Sequence, residues 1–261
     1  MDLGLGGRVA LVCASTGGLG QAAAEALGAE GAAVAVTGRR RERAEEIAAR
    51  ITAGGGRAVG LGVDLTAPGA PDALVDETVG ALGPIDVLVL NGPGPTPGTA
   101  ADLTPEGVAA AVDLLVAPHV ALVRRVLPGM RERGWGRIVA IGSGGVVAPI
   151  PGLVSSNAGR AALAGYLKTL ATEVAADGVT VNLALPGRIA TDRLVRLDQH
   201  AAERTGRPER EIRAAAEAAI PAGRYGGADE FGALVAFLGS ERASYITGTA
   251  VRCDGGQHPA L

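Results

Sequence analysis

Lysine and aromatic residues are nearly absent from this chain. One lysine, Lys168, stands among the 24 basic residues, and three tyrosines, two phenylalanines and one tryptophan make up the 2% aromatic share. A single-stranded nucleic-acid groove needs stacking rings beside clustered positive charge, so these scarcities and a net charge of -3 exclude that class. Cysteine is scarce too. Cys13 and Cys253 lie far apart and outside any Cys-x-x-Cys or Cys/His cluster, so neither a disulfide framework nor a metal site is predicted. No apolar stretch nears the ~18 residues that cross a bilayer, and the apolar run after Arg8, about six residues, is too short for an export signal. The expectation is a cytoplasmic protein with no membrane partner.

What is present is a repeating pattern in 261 residues that are 48% hydrophobic, enough to bury one large α/β core. Short runs of Val, Ile and Leu predict strands at Val9–Cys13, Ala33–Thr37, Ala58–Gly62, Val87–Leu90, Arg137–Ile141, Thr180–Leu185 and Ala250–Arg252. Ala-rich amphipathic segments predict helices at Leu19–Glu30, Arg41–Ala53, Pro71–Leu82, Pro105–Arg133, Ser155–Ala176 and Asp229–Leu238. Strand then helix, repeated, predicts a Rossmann-type doubly wound parallel sheet of about seven strands with helices on both faces. The Gly-rich pieces are too short to be linkers, so residues 1–261 are read as one domain. Within it, 188–227 loses the strand pattern and gains charge, which predicts a helical lid insertion.

The first predicted strand runs into Ala14-Ser15-Thr16-Gly17-Gly18-Leu19-Gly20 and then a helix. Small residues there let backbone amides at a helix N-terminus approach a pyrophosphate. At the end of the second strand Arg39 and Arg40 stand where an acidic residue would bind a ribose 2′-hydroxyl, and arginine suits a 2′-phosphate instead, so NADP(H) is the expected cofactor.

With these residues the chain resembles the classical short-chain dehydrogenase/reductase family, and within it the β-ketoacyl-carrier-protein reductase-like members. The glycine segment resembles the family's Thr-Gly-x-x-x-Gly-x-Gly, with Cys13 and Ala14 in place of Thr-Gly. Asp64-Leu65 resembles the pair that contacts adenine, and Asn91-Gly92-Pro93-Gly94 a variant of Asn-Asn-Ala-Gly. Pro186-Gly187, followed by Ile189 and Thr191, is similar to the segment against the nicotinamide, and Tyr245-Ile246-Thr247-Gly248 with Asp254-Gly255-Gly256 to the C-terminal signature. The resemblance implies a dimer or tetramer through the fifth and sixth helices, which carry Leu114-Leu115-Val116 and Leu163, Leu167 and Leu170, residues that a monomer would equally bury in its core.

The resemblance breaks at the family's Asn, Ser, Tyr and Lys tetrad. Ser143 holds the serine position, but Ser156 stands at the tyrosine, Arg160 at the lysine and Leu115 at the asparagine, with Asp113 nearby. No Tyr-x-x-x-Lys occurs anywhere in the chain. Ser156 and Arg160, four apart, share one helix face. Serine is a far weaker acid than a phenol, and arginine keeps its charge and offers a fork to a carboxylate, a phosphate or ribose hydroxyls. Candidate proton sources are His119, His200, Asp198 and Tyr225. The bland reading of His119 is a packing or interface residue, that of Tyr166 a core residue, of Trp135 a surface turn residue and of Cys13 a small buried hydrophobe.

Three readings follow. The first is an NADPH-dependent carbonyl reductase acting on a small ketone, polyketide-like or an acyl thioester, with catalytic Ser143, Ser156 and Arg160. The second is a non-redox dehydratase, cyclase or isomerase on the same fold, and the third an inactive partner of an active homologue.

Overall fold

The structure is a computed structural model and describes residues 1–259, so the last two positions of the predicted domain lie outside the described residues. Strands β1 (Val9–Val12), β2 (Ala33–Gly38), β3 (Arg57–Gly62), β4 (Val87–Leu90), β5 (Gly136–Ile141), β6 (Val179–Pro186) and β7 (Ala250–Cys253) form one parallel sheet. Its order is β3-β2-β1-β4-β5-β6-β7. The sequence of strands reverses between β1 and β4, and that switch point opens a crevice at the strands' carboxyl ends.

Successive side chains on a strand leave opposite faces, and two cores result. Leu11, Leu88, Ile138 and Val181 pack under α3 (Ala70–Leu82), α5 (Ala117–Glu132) and α6 (Val154–Val174), where Leu74, Leu122 and Leu167 meet them. Val12, Val34, Val87 and Val139 pack under α1 (Gly18–Ala29), α2 (Arg41–Ala53) and α9 (Ala228–Leu238), against Leu27, Ile47 and Phe231. Burial on both faces is why these strands read as unbroken apolar runs.

The long helix expected at Pro105–Arg133 is two helices, α4 (Pro105–Leu115) and α5, broken at Val116. Pro118 has no N–H to give the carbonyl of Leu114, and it fits instead in the first turn of a new helix. Taken together, Pro105–Glu132 has the length and hydropathy of a membrane span, more than the sequence reading allowed for, but Leu115, Leu122, Val126 and Met130 are buried in the protein's own core. Leu163, Leu167 and Leu170, for which both an interface and a core place were open, are buried in that core as well. They are already packed within the single chain.

Trp135 is not a free surface residue. Its half-buried ring carries the guanidiniums of Arg8 and Arg137 at 3.8 and 4.3 Å from the centroid, at the amino end of β5. Cys13 is fully buried, which pushes its thiol up to about 12, and Tyr166 packs partly buried against the first core.

Between β6 and α9 run α7 (Asp192–Thr205) and α8 (Glu209–Ala218). The ends of this segment are tied together: Ala190 N–H donates to Gly226 O (2.8 Å) and Gly226 N–H to Arg188 O (3.0 Å).

Candidate active site

A cleft of about 1880 Å³ lies over the carboxyl ends of the strands. Its floor begins at the β1–α1 loop. Gly17 offers α1 no side-chain cap, so the first amides of that helix are left to an outside acceptor. Ala14, in a left-handed backbone at φ 45°, Thr16, Gly18 and Leu19 line the cleft. Two of the expected contact residues do not. Ser15 is fully buried, its Oγ donating to Val12 O (2.8 Å) and accepting from Thr37 N–H (2.8 Å), so it pins the loop to β2. Gly20 lies behind the loop, where a Cβ would come within 2.4 Å of Ala14 O. Both shape the turn from behind its cleft-facing side.

Arg39 and Arg40, exposed at the end of β2, line one wall beside Asp64 and Leu65. Hydrogen bonds from Thr66, with a smaller contribution from the charge of Arg39, hold the Asp64 carboxyl below its usual range. Asn91 Nδ2 donates to Ala14 O (3.1 Å) and so ties β4 to the β1–α1 loop. Gly92, Pro186, Gly187, Ile189 and Thr191 complete the wall, and Thr191 Oγ1 caps α7 at Leu194 N–H.

Farther along, Ser143, Ser156 and Arg160 meet. Ser143 follows β5 and its Oγ accepts from Gly145 N–H (3.2 Å). Arg160 Nε donates to Ser156 Oγ (3.3 Å), and its Nη1 donates to Ile141 O (3.0 Å) and Gly142 O (3.4 Å). The guanidinium therefore bridges α6 to the end of β5 and holds the Ser156 hydroxyl on the cleft wall that Ser143 also lines. Burial, and then the charge of Arg193, push the Arg160 pKa down to about 10, which leaves it charged at neutral pH.

Leu115, at the asparagine position, is an apolar plug packed against Gly159, where a Cβ would fall 2.8 Å from Leu115 Cδ1. Its carbonyl is used, however. His119, one turn on, holds Nδ1 2.8 Å from Leu115 O and Nε2 3.4 Å from Asn91 O. With 4% of its surface exposed, this histidine lines the cleft; burial lowers its pKa, and the nearby Arg160 charge adds to the effect. It is a site residue as well as a packing one. Its spacing of four from Leu115 was the available signal, and only the fold shows which way it faces. Arg193, also on the cleft wall, was not singled out from the sequence.

Of the proton sources expected in the 188–227 segment, only Asp198 lines the cleft, and its carboxylate is already held by Tyr225 and Arg188. His200 is exposed and pairs with Glu203 (3.3 Å). Tyr225 is buried off the cleft wall, its hydroxyl donating to Asp198 Oδ2 (2.9 Å), and Arg188 holds the other oxygen of Asp198 (3.4 Å). Among the described residues no cluster of His, Cys, Asp or Glu is fit for a metal.

Residues 13–258 match a family profile described as enoyl-(acyl carrier protein) reductase. The 3-oxoacyl-(acyl-carrier-protein) reductase FabG of Salmonella typhimurium is 33% identical over 254 residues, 97% of this chain and 98% of its own. The chain is a short-chain dehydrogenase/reductase. Its likeness extends to solved members of the family. The L-sorbose reductase of Gluconobacter frateurii, complexed with NADPH and L-sorbose, superposes with a TM-score of 0.93 at 33% identity over the whole of both chains. A 3-oxoacyl (acyl-carrier-protein) reductase from Agrobacterium tumefaciens C58 with NADP bound gives 0.87 at 32% identity, covering 97% of this chain and 95% of that one. The seven-stranded sheet is thus that of the short-chain dehydrogenase/reductases.

Proposed function

We propose that this protein is an NADPH-dependent carbonyl reductase in which Ser143 works beside Ser156 and Arg160, the two residues that stand in for the missing tyrosine and lysine. The observation that carries this reading is the Arg160 bridge between Ser156 and the end of β5, which sets one hydroxyl beside a fixed positive charge on the cleft wall that Ser143 also lines. The cradle suits the cofactor: the amides of α1 are uncapped, Gly20 admits the tight turn, and Arg39 and Arg40 border the adenosine end. NADPH, when bound, supplies the hydride.

The hydroxyls of Ser143 and Ser156 donate to the substrate's carbonyl oxygen, and Arg160 stabilises the charge that grows there as the carbon is reduced. Neither serine is acidic enough to surrender its proton outright. Water in the cleft supplies it to the oxygen, with His119, the imidazole on this wall, positioned to pass it on. Leu114, Val147, Ile150 and Leu153 offer the substrate an apolar wall, in keeping with relatives named for 3-oxoacyl chemistry. Helices α7 and α8 form the lid over it.

The test is NADPH oxidation across a panel of ketones, with cofactor binding confirmed by calorimetry. Cofactor bound and no ketone reduced would sink the proposal. A second reading, non-redox dehydration, cyclisation or isomerisation, draws on the depressed pKa of His119 beside Arg160, since a neutral imidazole next to a fixed cation suits proton abstraction. Substrate conversion with no loss of NADPH absorbance would favour it, and stoichiometric oxidation would rule it out.

A further inference from the structure

Most half-buried arginines of this protein have an acidic neighbour. Arg133 meets Asp86, Arg188 meets Asp198, and even Arg137, buried at the far end of the sheet, feels Glu241. Arg160 has none. Its three hydrogen-bond acceptors are a hydroxyl and two carbonyls, all neutral, and Nη2 has no protein partner among the described residues. No carboxylate of the described residues lies within 4 Å of its guanidinium, and the charged group it feels most is another arginine.

That second arginine is Arg193, in the first turn of α7. Its guanidinium reaches across to the β4–α4 loop, with Nη2 2.6 Å from where a Cβ of Gly94 would stand. It too lines the cleft and has no ion pair among the described residues. Two cations, one of them largely buried, line the same cleft and act on one another, and among the described residues neither has an ion pair. Such a pair is costly unless an anion completes it. The α1 amides, Arg39 and Arg40 would hold the cofactor's phosphates, which would leave this pair of cations without one.

We infer that the cleft takes a substrate carboxylate between Arg160 and Arg193, so that the ketone presented to Ser143 and Ser156 is a free oxo acid and not a neutral ester or carrier-bound thioester. This deepens the reductase reading and rests on it for the word ketone; the carboxylate subsite does not depend on turnover. Guanidinium forks match carboxylates in two-point contact, and the open Nη2 of Arg160 gives one arm of that contact.

Two measurements separate the claims. Malonate is titrated calorimetrically into protein saturated with NADP⁺, so that the cofactor's phosphate sites are already filled. Binding is expected, weakened about ten- to a hundred-fold by Arg193→Gln and partly restored in Arg193→Lys. Because Arg193 is exposed, its replacement does not threaten the fold. In parallel, kcat/KM is compared for acetoacetate and methyl acetoacetate. The acid is expected to be preferred, with the acid-to-ester ratio falling at least tenfold in Arg193→Gln. No malonate binding at millimolar concentration, equal binding in Arg193→Gln, or an ester reduced as well as the acid would each overturn the inference and leave a reductase of neutral ketones. Arg193-dependent malonate binding with neither ketone reduced would uphold the carboxylate subsite and overturn the reductase reading alone.

Discussion

Ser156 Oγ accepts its hydrogen bond from Arg160 Nε at 3.3 Å, and through that contact a helix residue is tied to the end of β5. A serine alone on the first turns of α6 could rotate freely. Held this way it presents its own O–H to the cleft. Ser156→Ala is therefore expected to lower kcat by about 10²- to 10³-fold, the usual cost of one oxyanion donor, with a smaller change in KM. The double change Ser156→Tyr with Arg160→Lys puts a phenol and an ammonium in the same spacing. Steady-state NADPH oxidation should then exceed that of the parent by tenfold or more, and a double variant no faster than the parent would count against the assignment of these two positions.

Arg39 is the residue we propose to select the cofactor. Exposed at the end of β2, it borders the cleft on the adenosine side. Arg39→Asp should weaken NADPH about ten- to a hundred-fold and improve NADH, as charge-assisted hydrogen bonds of this kind are lost and a 2′-hydroxyl acceptor appears. Dissociation constants for both cofactors, measured by calorimetry, check the reversal.

His119 makes stability depend on pH in a window set by its depressed pKa, caused by burial and then by the Arg160 charge. The unfolded chain takes up this proton near pH 6.5 while the folded protein resists it, so below that value the unfolded state binds more protons. Its contribution is whole above about pH 6.5 and is lost as the pH falls below it. Urea unfolding at pH 7.5 and 5.5 should show a loss on acidification that His119→Gln reduces. An unchanged pH dependence in the variant would contradict the buried, neutral imidazole.

Ala14 carries the left-handed backbone that the family's motif gives to glycine. A methyl group in that region costs about 1 kcal/mol, partly returned by the stiffer unfolded chain. Ala14→Gly should be neutral or stabilising by up to about 1 kcal/mol, and Ala14→Val destabilising by more. Thermal denaturation of the three proteins makes the comparison.

Much of this architecture is legible in the residues themselves. Strands such as Val87–Leu90 are apolar throughout because both faces are covered, and the glycines of 17–20 mark the tight turn that leads into α1. The missing Tyr-x-x-x-Lys is also plain from the letters. The break at Val116 is not, because proline at the start of a helix and proline interrupting one look alike until packing chooses. Ser15 and Gly20 belong to the motif, yet their roles behind the loop depend on Thr37 and Ala14, residues brought near only by the sheet and the turn. Arg193 escaped, and the direction His119 faces stayed hidden, for the same reason: a helix position fixes its neighbours four residues away, and what stands across a cleft is fixed by the whole fold.

The indole of Trp135, clasped by Arg8 and Arg137, sits at the amino end of β5, whereas the cleft opens at the other end of the same strand. As the protein's single tryptophan it is a built-in optical probe on the side away from the chemistry. Its emission should shift when the guanidiniums leave the ring on unfolding and stay still as NADP⁺ fills the cleft. One fluorescence signal can then follow denaturation of the empty and the loaded protein alike, with no label added.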